Sequence, residues 1–362
     1  MKKKKISLDD MKAFQEKLLY DIKFAYVRTG HAKNELLGLL TVFNARRSMN
    51  VRVKRQVHYA PDDERLYLNI YERKDRDPEI KAPVFVYIHG GGWIGGLPET
   101  REAFNTRIAE AGYFVVSLYY GHSPFYPHPE PIQNIYKAFA WLKENAEEYN
   151  IDADSIFVGG ESAGAHLSAM AGAISSDPEY NARFDLDPRS RHQKIAGLVL
   201  NCGVFDLEKA IGLPFRNIEL YVQSYCGGKP FGELTEEEKK EISPIYHITK
   251  DFPPTFAISA QYDALAILTF DLVEKLRELG VEVEHYHGTG KVAVHAFAVV
   301  QALRISREAM FGIRSFLRAH TKEGLLLRMK PKRSAADKRN TPPKQSPPSA
   351  QPDNKPPRRP LP

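Results

Sequence analysis

Between about residues 50 and 320, short apolar runs alternate with amphipathic stretches. Val84–Ile88, Tyr113–Leu118, Ile156–Val158 and Ile195–Leu200 are such runs, and Thr255–Ser259 and Val281–Tyr286 complete the set. This is the pattern of strands covered on both faces of a parallel sheet. Val51–Val57 and Leu66–Tyr71 instead alternate apolar and polar residues on either side of Ala60-Pro-Asp-Asp-Glu64, and read as an antiparallel pair with a turn. Helical stretches fall between the strands, over roughly 99–111, 130–148, 162–176, 265–280 and 296–319. Strand and helix in turn imply βαβ crossovers and hence an α/β fold with a doubly wound, mostly parallel sheet.

Two blocks break the rhythm. Residues 7–45 read as helix, with Met11, Phe14, Leu18, Leu19, Ile22 and Tyr26 at helical spacing. Residues 204–247 are too long for a connection between strands and hold helical material of their own, Ile211–Tyr225 and Thr235–Glu241. Thr235-Glu-Glu-Glu238 has the spacing of a capping box. Both blocks are either peripheral helices or a lid over the sheet's carboxyl edge, where open α/β sheets bind ligands.

Composition adds bounds. The 362 residues are 43% hydrophobic and 27% charged, which is globular usage and excludes collagenous, coiled-coil and wholly disordered chains. The net charge is +6, but Arg328–Pro362 holds ten Lys/Arg against Asp337 and Asp353, a net of +8 that leaves the rest at −2. That stretch also has ten of the 25 prolines, so 323–362 is expected to be a solvated, disordered basic tail. Its alternative use is as an electrostatic patch for nucleic acid or anionic lipid. No aromatics interleave for base stacking, so no nucleic-acid partner is expected. Cys202 and Cys226 cannot make a disulfide framework, Lys2–Lys5 has no apolar h-region behind it, and no apolar run reaches membrane-spanning length. The expectation is a soluble, cytoplasmic protein.

Candidate chemistry begins at Gly160-Glu161-Ser162-Ala163-Gly164, which directly follows one predicted strand and opens an apolar helix. A sharp strand–helix turn of this kind projects a serine oxygen outwards and aims a helix N-terminus at developing negative charge. His89-Gly90-Gly91-Gly92-Trp93 follows another strand. Successive glycines let backbone N–H groups converge on one point, as an oxyanion hole requires. A dinucleotide fingerprint would want a different glycine spacing, so the phosphate reading fits less well. Trp93 is expected to be packing.

A serine needs a base and an orienting acid. Asp263 stands just past the strand Thr255–Ser259, where the alternative role is a helix N-cap. Four histidines follow it. His285 and His287 alternate along a strand, a spacing that could bind a metal, though no third ligand is evident. His320 closes the last helix. His295, in the loop before Ala296–Leu303, is the best-placed base, with His287 as the fallback.

The order Ser162, Asp263, His295 is the Ser…acid…His order of α/β-hydrolases. With His89-Gly-Gly-Gly-Trp93, Gly160-Glu-Ser-Ala-Gly164, Tyr262-Asp-Ala-Leu265 and His295-Ala-Phe297, the chain resembles the hormone-sensitive-lipase-like branch of that superfamily over roughly residues 50–320. The resemblance implies a carboxylic-ester hydrolase of short- to medium-chain acyl (acetyl-type) esters, needing no cofactor or metal. It implies Ser162 as nucleophile, His295 as base and Asp263 as its partner. Gly90, Gly91, Gly92 and Ala163 would form the oxyanion hole, Gly90 by shaping the turn. N-terminal helices (1–48) and an insertion (204–247) would cap core segments 49–203 and 248–322, and Phe215, Tyr221 and Tyr225 would wall the acyl pocket.

The chain departs from that pattern at several points. Glu161 stands where the branch usually has Asp, Ala165 and Ala296 where it has Gly, and Tyr119-Tyr-Gly121 where it has Asp-Tyr-Arg. The loop from Gly288 to His295 is also longer than usual. The expected partner is a small-molecule ester, and the pattern leaves room for a homo-oligomer. The alternatives are an amidase or lactone hydrolase with the same triad, or a non-catalytic relative that binds a small ligand beneath its lid.

Overall fold

The computed structural model describes residues 8–44 and 48–322. Lys2–Lys5 and the basic tail expected at 323–362 lie outside them. In chain order come α1 (Leu8–Asn44), β1 (Val51–His58), β2 (Tyr67–Arg73), β3 (Ala82–Ile88), α2 (Glu102–Glu110), β4 (Phe114–Leu118) and α3 (Glu130–Glu144). β5 (Ile151–Glu161), α4 (Ala163–Ser176), α5 (Pro178–Ala182) and β6 (Lys194–Asn201) follow. The chain continues with α6 (Leu207–Ile211), α7 (Ile218–Tyr225), α8 (Glu236–Glu241), β7 (Thr255–Ala260), α9 (Ala266–Glu278), β8 (Val283–Gly288) and α10 (Arg304–His320).

The strands form one eight-stranded sheet in the order β1-β2-β4-β3-β5-β6-β7-β8. β1–β2 and β2–β4 pair antiparallel, and every pair from β4 to β8 is parallel. The expected fold class is the one observed. β3 and β4 are buried along their whole length, β3 wholly apolar and β4 apolar but for Ser117. Side chains of β3 alternate between two cores, each covered by helices. Val84, Val86 and Ile88 join α3, α4 and α9, whereas Phe85 and Tyr87 join α2 and α10. Because β3 continues to β4 on one side and neighbours β5 on the other, the winding reverses between β3 and β5. That reversal opens a crevice at their carboxyl ends.

Two expectations need correction. The helix expected from 296 starts at Arg304; Ala296 takes a left-handed φ of 56° and only a 3₁₀ turn, Phe297–Val299, follows. The stretch 211–225 is split into α6 and α7 by Pro214 and by Asn217, also left-handed. In α1 the stripe Leu18, Leu19, Ile22 and Tyr26 lies exposed, and the inward contacts come instead from Tyr20, Phe24 and Val27. Thr235 and Glu238 do form both bonds of the expected capping box at α8. Among the described residues no helix is long and apolar enough to cross a membrane.

Candidate active site

β5 ends at Glu161 and α4 begins at Ala163, leaving Ser162 in the turn with φ 56° and ψ −120°. A non-glycine residue so placed carries strain of about 1–3 kcal/mol, held only where its surroundings enforce it. The enforcement is visible. Gly160 and Gly164 pass so close to the Ile88 carbonyl that a Cβ on either would sit 2.3 or 2.0 Å from its oxygen. The Ser162 N–H donates to the Asn201 carbonyl at 2.9 Å. The serine hydroxyl makes no capping bond to α4 and faces the crevice between β3 and β5.

The glycine loop leaves β3 at the other wall of that crevice, with Gly91 and Gly92 at φ 129° and 60°. Glu161 holds this loop to the elbow. Its side chain is 2% exposed and accepts from three donors: the Gly90 N–H at 2.9 Å, Arg101 Nε at 2.5 Å and the Tyr87 hydroxyl. Burial works against the Arg101 charge, but Glu161, then Tyr87 and Glu35, hold the guanidinium above its ordinary range. The Gly90 amide, at the residue expected to shape the turn, is committed to this carboxylate. Gly91, Gly92 and Ala163 remain at the cavity wall.

Beneath the loop, burial pushes the His89 imidazole down to about 3. The ring stacks on Tyr120 with centroids 4.6 Å apart. Trp93 is packing, as expected: it stacks on Tyr225 and donates to His166 Nδ1 at 3.2 Å. Tyr225 consequently belongs to the core and not to the cavity, whereas Phe215 and Tyr221 do line it.

The acid and the expected base meet across two loops. Asp263 follows β7; its Oδ1 accepts the Leu265 N–H at 3.0 Å and its Oδ2 lies 2.9 Å from His295 Nδ1. A carboxylate there requires Nδ1 to carry the proton and leaves the Nε2 lone pair available. Nε2 is buried and has no hydrogen-bond partner among the described residues. The long loop before His295 is pinned to the segment after β7. Gly290 N–H donates to the Gln261 side chain at 2.8 Å, and Tyr262 N–H donates to the Ala293 carbonyl at 2.8 Å. His285 Nε2 and His287 Nδ1 instead share the Ser259 hydroxyl, each at 2.8 Å. The structure thus brings His295, and not His287, to the cavity of Ser162.

That cavity measures about 170 Å³ and is bounded by Ser162, the glycine loop, His295, Phe215, Ile218, Tyr221, His31 and Arg101. The Phe215 ring meets the His295 ring edge-on at 4.9 Å. Tyr221 covers Gly92, and its hydroxyl lies 3.0 Å from His31 Nε2 of α1. The Cys202 thiol lies within 4.8 Å of ligand-type atoms of Asp263 and His295, a set that metals can use. Burial, then Asp263, keeps that thiol protonated. Arg101, Tyr87 and His31 were invisible in the sequence, since each reaches the site through tertiary contact and none stands in a motif.

The BD-FAE family model matches residues 68–270, which take in the glycine loop, Ser162 and Asp263 and stop short of His295. The chain belongs to the BD-FAE family. Esterase LipQ of Mycobacterium tuberculosis is 28% identical over 269 residues, covering 72% of this BD-FAE chain and 61% of that protein. Acetyl esterase of Salmonella paratyphi B is 27% identical over 204 residues, with 52% and 57% covered. The BD-FAE chain therefore spans only about three fifths of the length of these curated relatives. Among solved structures, Esterase B from Lactobacillus rhamnosis aligns with a TM-score of 0.73 at 21% identity, covering 83% of this chain and 95% of that one. A bacterial heroin esterase gives 0.66 at 24%, with 82% and 93% covered. These neighbours share the α/β-hydrolase fold.

Proposed function

We propose that the protein is a serine hydrolase that cleaves carboxylic esters of short to medium acyl chains through an acyl-enzyme. The reading is carried by one observation: Ser162, the Asp263-bound His295 and the Gly91, Gly92 and Ala163 amides border a single small cavity. His295 Nε2 takes the Ser162 proton as the serine oxygen attacks the ester carbonyl. The carbonyl oxygen, now an oxyanion, is held by the three amides. Such donors are worth about 10²–10³ in rate each. The imidazolium, paired with Asp263, returns its proton to the leaving alcohol as the C–O bond breaks. Water then attacks the acyl-Ser162 by the same route and restores the serine.

The cavity's volume of about 170 Å³ and its closure by Phe215 and Tyr221 favour acetyl-sized groups over long chains. The name of the acetyl esterase relative points the same way. Two free cysteines fit residence in a reducing cytoplasm. The test is turnover of p-nitrophenyl acetate, butyrate and octanoate by the parent and by Ser162→Ala. Loss of at least about 10⁴ in kcat is expected for the variant, with an unchanged melting temperature. The parent should be fastest on the shorter chains. Turnover retained in Ser162→Ala would remove the nucleophile.

A further inference from the structure

α1 has two apolar sides. At about 100° per residue, Tyr20, Phe24, Val27, His31 and Glu35 fall on one side and Leu18, Leu19, Ile22, Tyr26, Leu36 and Leu37 on the other. The first side is anchored. Val27 packs with Ile94 and Leu220, Tyr20 shares a hydrogen bond with Ser224, and His31 with Tyr221. The second side touches none of this, and its six side chains are between 47% and 71% exposed. A helix whose stripe of large aliphatic and aromatic residues faces water marks a surface built for something apolar.

We propose that this outward face is a lipid-docking surface that seats the protein on an anionic bilayer, with α1 lying in the plane of the headgroups. The charges favour lipid over a second copy of the chain. Residues 1–37, from the Lys2–Lys5 run through the stripe, hold nine Lys/Arg against five Asp/Glu, a net of +4. Asp9, Asp10, Glu16, Asp21 and Glu35 balance the cations within the helix, so the excess comes from the four leading lysines. A basic leading segment repels its own kind and is drawn to an anionic surface. Apolar insertion beside a basic segment is the pattern of interfacial helices. Since no described helix can cross the bilayer, α1 lies on it and does not pass through. Its anchored side lines the catalytic cavity through His31, so docking would bring that cavity to the membrane surface, where apolar esters collect. The inference stands on exposure and charge, not on the esterase reading.

The experiment is co-sedimentation of the full chain with phosphatidylcholine vesicles and with phosphatidylcholine–phosphatidylserine vesicles. It compares the parent with Leu18→Ser/Ile22→Ser/Tyr26→Ser. The parent should bind the serine-lipid vesicles, less so as salt rises, and the neutral vesicles weakly. The triple variant should bind about tenfold more weakly for each side chain removed. It should keep its melting temperature and, where the parent hydrolyses p-nitrophenyl acetate, the same turnover. Absence of parent binding overturns the proposal. Equal binding by parent and variant also overturns it, since the basic leading segment then acts alone. So does a lipid-free dimer that the variant dissolves, because the face then belongs to a second copy.

Discussion

The two halves of the candidate site are held in opposite ways. The glycine loop and the elbow are clamped by one buried carboxylate, Glu161, with three donors around it, one of them a charged guanidinium. The Asp263–His295 half rests on the 2.9 Å bond between them, on the Leu265 N–H that Asp263 accepts, and on a loop pinned by Gln261 and Tyr262. In the proposed mechanism the difference follows from what each half does. Oxyanion donors are effective only if they do not reorganise during reaction. The base must accept and release a proton, and its unpartnered Nε2 is what allows that.

The largest expected effect lies in the second half. His295→Ala should lose about 10⁴ or more in kcat on a p-nitrophenyl ester, whereas His287→Ala should stay near the parent rate. The reverse order would exchange the two histidines' roles and break the comparison. A smaller effect is expected from Glu161→Gln, which leaves the Arg101 charge buried without its partner. Stability should fall by about 3–5 kcal/mol, read from urea midpoints, and kcat should fall by about 10² with KM little changed. A kcat equal to the parent's would show that the clamp does not position the donors.

The last expected effect is a pH slope, also on the clamped side. Burial pushes the His89 and His166 imidazoles down to about 3. An unfolded imidazole titrates near 6.5. Between those values the unfolded chain binds protons that the folded chain refuses, so stability is complete above about 6.5 and falls as pH drops. Each imidazole should contribute about 1.4 kcal/mol per pH unit in that window. A urea midpoint unchanged from pH 7 to pH 5 would contradict the burial assigned to both rings.

Legibility in the sequence followed the range of the interactions. Strands β3 to β7 and the two glycine motifs were readable because their signals are local: apolar runs and glycines where the backbone must turn or pass closely. The Ser162, Asp263, His295 order was readable because it is one of sequence. The clamp was not. Glu161 could be noticed as an odd residue beside the serine, but its partners Tyr87 and Arg101 come from different elements and carry no local mark. The helix expected from Ala296 failed because a left-handed φ at that residue, set by the tertiary loop, overrode a helical pattern. In α1 the periodicity correctly marked a helix, yet it could not say that a second and less regular set of residues would take the inward side.

The most direct measurement is covalent labelling with diethyl p-nitrophenyl phosphate, followed by peptide mass mapping of the parent, His295→Ala and His287→Ala. The account predicts a single adduct on Ser162 in the parent and in His287→Ala, formed at least about a thousandfold more slowly in His295→Ala. An adduct on another residue, or equal labelling of Ser162 without His295, would contradict it.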